Sequence, residues 1–211
     1  MHFDCDYLEY VIYDIRRYEY GMGKFTFHAT PIEDLYVVEP TVFADQRGYF
    51  METYNDEFAP YVKHLDGTPC DYVQDNESRS SKGVLRGLHM QLTQPQGKLV
   101  RVLQGEVYDV AVDARKDSPT YGQYFGAVLS AENKKQLLIP EGFLHGFAVL
   151  SETATFAYKC TRLYAPGDEF GVMWNDKELD IPWPVTEAEA ILAEKDKKNH
   201  DFSELTEVLG R

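Results

Sequence analysis

Two histidines, each carried by a glycine-rich and strand-like segment, are the residues whose chemistry matters most in this chain. The first closes Gly83-Val84-Leu85-Arg86-Gly87-Leu88-His89, and the second lies in Ile139-Pro140-Glu141-Gly142-Phe143-Leu144-His145-Gly146-Phe147. Glycine beside a histidine lets another molecule approach the backbone closely. An imidazole so placed takes a proton, holds a metal, or serves as a hydrogen-bonded structural group.

A metal needs more ligands than these. Metal-binding barrels of the cupin kind carry His-x-His with a later Glu and a further His. Here the tripeptide is His89-Met90-Gln91, so an amide, a poor ligand for zinc or iron, stands in place of the second imidazole. His145, in Pro140-Glu141-Gly142-Phe143-Leu144-His145, resembles the second cupin segment. One imidazole from each segment argues against a metal site.

Acid–base chemistry asks for less. A neutral imidazole with an ordinary pKa of about 6.5 suits proton abstraction near neutral pH. Arg86 lies three residues before His89. In a regular strand the two would face opposite ways, but Gly87 permits a bulge that brings them together. Lys98 follows the turn Gln94-Pro95-Gln96-Gly97. If the abstracted proton lies beside a carbonyl, the developing enolate oxygen needs a cation or donor, and Lys98 supplies one. A proton returned on the opposite face inverts the carbon. Tyr158, in Phe156-Ala157-Tyr158-Lys159, is the candidate acid, although pattern alone reads it first as a core tyrosine. Arg47, in Phe43-Ala44-Asp45-Gln46-Arg47-Gly48, and the segment Gln74-Asp75-Asn76 have loop-like settings. An arginine fork suits phosphate, and turn capping by Asp and Asn accounts for these segments equally well.

The elements that must hold these groups are strands. From Leu35 to Trp183 short apolar runs alternate with turn residues at intervals near ten. The runs are Leu35–Val38, Lys98–Leu103, Val107–Val112, Tyr121–Leu129, Gln136–Ile139, Phe143–Leu150 and Thr155–Lys159. Gln104-Gly105-Glu106 reads as a hairpin turn between two of them. No β-α-β alternation occurs, which argues against a parallel sheet, and the many short strands suggest a sandwich, jelly roll or barrel. The tail changes character. Thr186-Glu187-Ala188-Glu189 is a capping-box pattern ahead of Ile191-Leu192-Ala193, and Asp201-Phe202-Ser203-Glu204 opens a second short helix.

Composition bounds the class. At 211 residues, 44% hydrophobic, with 15 tyrosines and 12 phenylalanines, the sequence describes one folded domain. Residues 7–20 are aromatic-rich and suit a helix or a strand; Gly21-Met22-Gly23 then breaks the pattern. Met22 is a plausible alternative start, so residues 1–21 are read as an extension and 22–211 as the domain. No apolar run approaches the roughly 20 residues of a membrane span. The N-terminus has neither the basic nor the apolar region of a secretory signal. Cys5, Cys70 and Cys160 are scattered and form neither a disulfide framework nor a metal spacing, as expected of reduced thiols in the cytoplasm. The net charge of -14 disfavours nucleic acid but leaves room for an anionic small ligand in a local basic pocket.

Taken in order, the motifs are specific. Phe43-Ala44-Asp45-Gln46-Arg47-Gly48-Tyr49-Phe50, Gln74-Asp75-Asn76-Glu77-Ser78, Val84-Leu85-Arg86-Gly87-Leu88-His89, Gly97-Lys98-Leu99-Val100-Arg101, Ile139-Pro140-Glu141-Gly142-Phe143 and Trp174-Asn175-Asp176 occur in this sequence. Together they closely resemble the dTDP-4-dehydrorhamnose 3,5-epimerase family, over about residues 24–197. The resemblance implies an all-β, cupin-like double-stranded β-helix (jelly roll) with short C-terminal helices, acting as a homodimer without metal or cofactor. It implies inversion at C3 and C5 of dTDP-4-dehydro-6-deoxy-D-glucose, giving dTDP-4-dehydro-L-rhamnose. The family's base falls on His89, its partner carboxylate on Asp196 in Ala193-Glu194-Lys195-Asp196, and its proton donor on Tyr158. Lys98, Arg86 and His145 match substrate-binding residues near the sugar. Arg47, Glu52, Gln74, Asp75, Asn76, Glu169 and Lys195 match other ligand contacts, and Tyr164 matches the aromatic stacked on thymine. The one departure is Met90, where the family often has Phe or Tyr. The rival readings are a C3- or C5-only mono-epimerase, a metal-dependent cupin oxygenase or isomerase, and a non-catalytic nucleotide-sugar-binding protein.

Overall fold

The computed structural model describes residues 23–210, so the readings of residues 1–22, including the alternative start at Met22, lie outside the described residues. The strands are β1 Phe25–Ala29, β2 Tyr36–Pro40, β3 Phe43–Asp45, β4 Gly48–Phe50, β5 Gln74–Ser81, β6 Leu85–Gln91 and β7 Lys98–Gln104. They continue with β8 Glu106–Asp113, β9 Tyr124–Ser130, β10 Gln136–Ile139, β11 Phe143–Val149, β12 Thr153–Cys160 and β13 Glu169–Gly171. One α-helix, α1 Phe202–Val208, follows.

Two antiparallel sheets stack. One has the order β1-β2-β10-β7-β12-β5, the other β13-β6-β11-β8-β9, and β3 and β4 form a separate hairpin. Apolar side chains from both sheets close the space between them: Val100, Leu137 and Phe156 from the first, Val107, Ala111 and Phe147 from the second. The Phe147 and Phe156 rings stack across the sheets at 4.2 Å. A side chain as fully buried as Phe156 contributes roughly 1.5–3 kcal/mol through removal from water. This is the expected jelly roll. Among the described residues no helix is long and apolar enough to cross a membrane.

Two local expectations are corrected. Gln104-Gly105-Glu106 is not a hairpin turn, because β7 and β8 belong to different sheets. It is a corner at which the chain changes layer. Gly105, at φ 77, makes this corner where a side chain would meet the Thr153 carbonyl oxygen. The Thr186 motif does not start a helix either. Its side-chain contact forms, with Thr186 Oγ1 donating to Glu189 Oε2 at 2.7 Å. The chain is then drawn out alongside the β6 entry: the Ile191 amide donates to the Gly83 carbonyl at 2.8 Å, and the Leu85 amide to Ile191 at 3.1 Å. A single turn closes, with the Ala190 amide donating to the Thr186 carbonyl at 3.0 Å, but the two strand-like bonds stop it from continuing as a helix, and the extended path carries the tail toward the site. The second tail helix forms as α1, with the Asp201–Glu204 capping box in place and Phe202 and Leu205 buried.

Candidate active site

The glycines of β6 and β11 shape the floor of the site. His145 pairs with His89 and Phe147 with Arg86, so Gly87 and Leu88 together oppose the single residue Gly146. This is the bulge that Gly87 permits, and it turns Arg86 and His89 toward the same cavity. Gly87 has φ 110, and a Cβ there would come within 2.6 Å of the His145 carbonyl oxygen. Glycine is therefore required twice, for the backbone angle and for the close approach.

That cavity, of about 420 Å³, opens between the sheets. Arg86, His89 and His145 enter it from the five-stranded sheet. Gln74, Asn76, Lys98, Tyr158 and Cys160 enter it from the six-stranded sheet. Glu169 on β13 and Tyr164, Lys195 and Asp196 on connecting segments also line it.

His89 Nε2 lies 2.7 Å from Asp196 Oδ1, and the Asp196 side chain is 2% exposed. An ionised carboxylate only accepts, so Nε2 carries the hydrogen and Nδ1 keeps the lone pair. Asp196 sits in a short 3₁₀ turn, Asp196–Lys198, at the end of the extended tail. Its carboxylate is buried and paired with the imidazole.

His145 has the same arrangement with a different acid. Its Nε2 is 3.0 Å and 3.1 Å from the two oxygens of Asp109 on the neighbouring β8. Burial pushes the His145 pKa down against the pull of Asp109, with Lys98 and His89 adding to the depression. His145 therefore stays neutral where an exposed histidine would begin to charge. Asp109 is the residue that sequence reasoning missed. The available signal was a carboxylate inside the apolar run Val107–Val112, since a buried carboxylate needs a partner.

The facing sheet carries the donors. Burial lowers the Lys98 pKa, partly offset by Cys160, Asp109 and Glu169. Burial raises the Tyr158 pKa, with Cys160 and Glu169 adding to the rise and Arg86 opposing it. Tyr158 thus holds its proton well into alkaline solution, as an acid must. Arg86 donates to Ser80 Oγ at 3.0 Å, and Lys195 Nζ bonds Glu169 Oε1 at 2.6 Å. Tyr164 is half exposed at the mouth, and its amide donates to Gln74 Oε1 at 2.8 Å.

Three expected contacts stand outside this cavity. Asp75 falls between Gln74 and Asn76 on β5, so the alternation of a strand turns it to the other face, where it pairs with Lys159 at 2.9 Å. Arg47, at the tip of the β3–β4 hairpin, is exposed and paired with Asp45. Glu52 accepts from Asn55 Nδ2 at 2.7 Å. Gln91, which replaces a cupin ligand, is committed to structure: its amide donates to the Gln94 carbonyl at 2.7 Å, and its oxygen accepts from the Ala165 amide at 2.9 Å.

The sequence and the overall fold match those of known proteins. The model of the dTDP-4-dehydrorhamnose 3,5-epimerase family covers residues 29–204. The enzyme of that name from Pseudomonas aeruginosa is 53% identical over 173 residues, 82% of this chain and 93% of the relative. A crystal structure of the Elizabethkingia anophelis enzyme superimposes with a TM-score of 0.80 at 49% identity, covering 86% of this chain and 98% of that one. A 3,5-epimerase of Legionella pneumophila, solved with dTDP-4-keto-L-rhamnose, gives 0.78 at 48% identity, covering 86% of this chain and 96% of that one. The chain belongs to the dTDP-4-dehydrorhamnose 3,5-epimerase family, a family of isomerases.

Proposed function

We propose that this chain converts dTDP-4-dehydro-6-deoxy-D-glucose to dTDP-4-dehydro-L-rhamnose, with His89 as base and Tyr158 as acid. The observation that carries the reading is the 2.7 Å His89–Asp196 pair lining the same cavity as Lys98 and Tyr158. His89 Nδ1 takes the proton from a carbon next to the C4 ketone. The electron pair moves onto the ketone oxygen, and the Lys98 ammonium stabilises the enolate. Asp196 stabilises the imidazolium that forms. The Tyr158 hydroxyl then protonates the carbon from the other side, inverting it; the phenolate regains a proton from solvent and the His89 imidazolium gives its proton up to solvent, which readies both for the second carbon. C3 and C5 flank one carbonyl, so one base and one enolate donor serve both.

The basic side chains Arg86 and Lys195 suit the diphosphate-linked sugar, and Tyr164 at the mouth suits the thymine, a stack typically contributing about 1–3 kcal/mol. Gln74, Asn76, His145 and Glu169 complete the contacts. The chain works as a homodimer in this reading. Phe43, Tyr49 and Phe50 of the β3–β4 hairpin are 48%, 57% and 64% exposed. A second copy covers this apolar surface and receives Arg47 and Glu52 near its own cavity. Sedimentation of the purified protein tests the dimer; a monomer at micromolar concentration contradicts it. The cytoplasm is the proposed compartment, supported by the free thiols of Cys70 and Cys160.

Incubation with the 4-keto sugar nucleotide in heavy water tests the reaction. Deuterium at both C3 and C5 of the product, read by NMR, is expected. Label at one carbon alone would make the chain a mono-epimerase, the activity of a Streptomyces bikiniensis neighbour solved with dTDP-quinovose at 31% identity and TM-score 0.77.

A further inference from the structure

Glu141, in the turn between β10 and β11, is a carboxylate that the reaction does not use. It is 1% exposed. Its Oε1 accepts from Thr161 Oγ1 at 2.9 Å and Arg162 Nε at 3.3 Å, and lies 2.8 Å from His64 Nδ1. Its Oε2 accepts from the Leu65 amide at 3.2 Å. Arg162 puts a fixed positive charge into this cluster, which argues against a cation there despite the thiol of Cys70 nearby.

The network leads to Lys98 instead. Thr161 Oγ1, while donating to Glu141, accepts the Gly97 amide at 2.9 Å, and the Thr161 amide donates to the Gly97 carbonyl at 3.0 Å. Gly97 immediately precedes Lys98. On the next rung Lys98 is paired with Cys160, and one residue earlier Gln96 Nε2 donates to the Arg162 carbonyl at 2.8 Å. The start of β7 is therefore fastened on three successive residues. The Gly97 fastening ends on the Glu141 carboxylate through Thr161 Oγ1, and the Gln96 fastening reaches the same carboxylate through the Arg162 side chain; hydrogen bonds to a charged acceptor are the stronger kind.

We propose that Glu141 is a positioning residue for the reaction, acting through Thr161 and Gly97 to fix the ammonium of Lys98 at the enolate oxygen. The proposal rests on the role given to Lys98 above. Enolate stabilisation depends on a donor held in place before charge develops, so a slack strand start lowers kcat and leaves ground-state binding alone.

Removing Glu141 outright risks the fold, since Arg162 and His64 would be left facing each other. Thr161→Val removes one hydroxyl and keeps the shape. It is expected to lower kcat about tenfold with KM changed by less than about twofold. It is also expected to raise the alkaline limb of the pH–rate profile, because a loosened Lys98 regains water. Thr161→Ser, which keeps the hydroxyl, is expected to restore both. Wild-type kcat and pH profile in Thr161→Val, beside an inactive Lys98→Met, would overturn the proposal and leave the role of Lys98 standing. A loss in Thr161→Val that Thr161→Ser does not restore would also overturn it. Full activity in Lys98→Met would overturn both.

Discussion

His89 and His145 face each other across one rung of the β6–β11 pair, and each gives Nε2 to a different buried aspartate. The dyads differ in access. The His89 side chain is 19% exposed and its carboxylate arrives on the C-terminal tail, whereas His145 is 8% exposed and is held by the adjacent strand. In the proposed reaction the more accessible imidazole is the base, and the more deeply buried one, kept neutral by its surroundings, positions the sugar.

Asp196→Asn tests the first dyad. An amide can donate to Nε2 and so favour the tautomer with hydrogen on Nδ1, which is no base. The expected loss in kcat is about 10²–10⁴-fold, the range of general acid–base help. Calorimetric affinity for dTDP should stay near wild type, and kcat within a factor of two of wild type would count against the pairing.

Tyr158→Phe separates removal of the proton from its return. His89 remains able to take a proton and give it back on the same face. Substrate recovered from heavy water should carry deuterium without inversion, while formation of the L-sugar falls at least about 10²-fold. Undiminished inversion would mean that another group is the acid.

Lys98 sets the alkaline side. Its pKa is lowered chiefly by burial, so the protonated donor is lost on raising the pH below the ordinary lysine value of about 10.4. Tyr158 shifts the other way, because burial raises it. The alkaline limb is therefore expected to follow Lys98. Lys98→Arg, whose guanidinium stays charged, should move that limb upward in whatever activity remains. A limb that does not move would assign it elsewhere.

The strands and the bulge at Gly87 were legible because alternation and a glycine between two polar groups have direct geometric consequences. The tail was less legible. A capping box at Thr186 predicts a helix locally, but the β6 entry offers Ile191 strand-like partners more than 100 residues away in sequence. Asp196 was found by family resemblance alone, since nothing local distinguishes it from its charged neighbours. Asp109 stands out in sequence only by its apolar setting, inside Val107–Val112. The motif Gln74-Asp75-Asn76 joins three residues that the two-residue period of a strand divides between its faces.

Asp109→Ala probes the second dyad through stability. It leaves the buried His145 Nε2–H without its acceptor, which costs roughly 1–3 kcal/mol. Denaturant melts at pH 7 should show that drop, with a smaller loss in kcat than for Asp196→Asn. A larger catalytic loss than for Asp196→Asn would reverse the roles given to the two histidines.

The central claim is that one imidazole deprotonates both carbons. Its most direct test is the rate of deuterium entry at C3 and at C5 in His89→Ala, compared with wild type under the same saturating substrate. Both rates should collapse together while dTDP still binds. Exchange that survives at either carbon would show a second base and contradict the account.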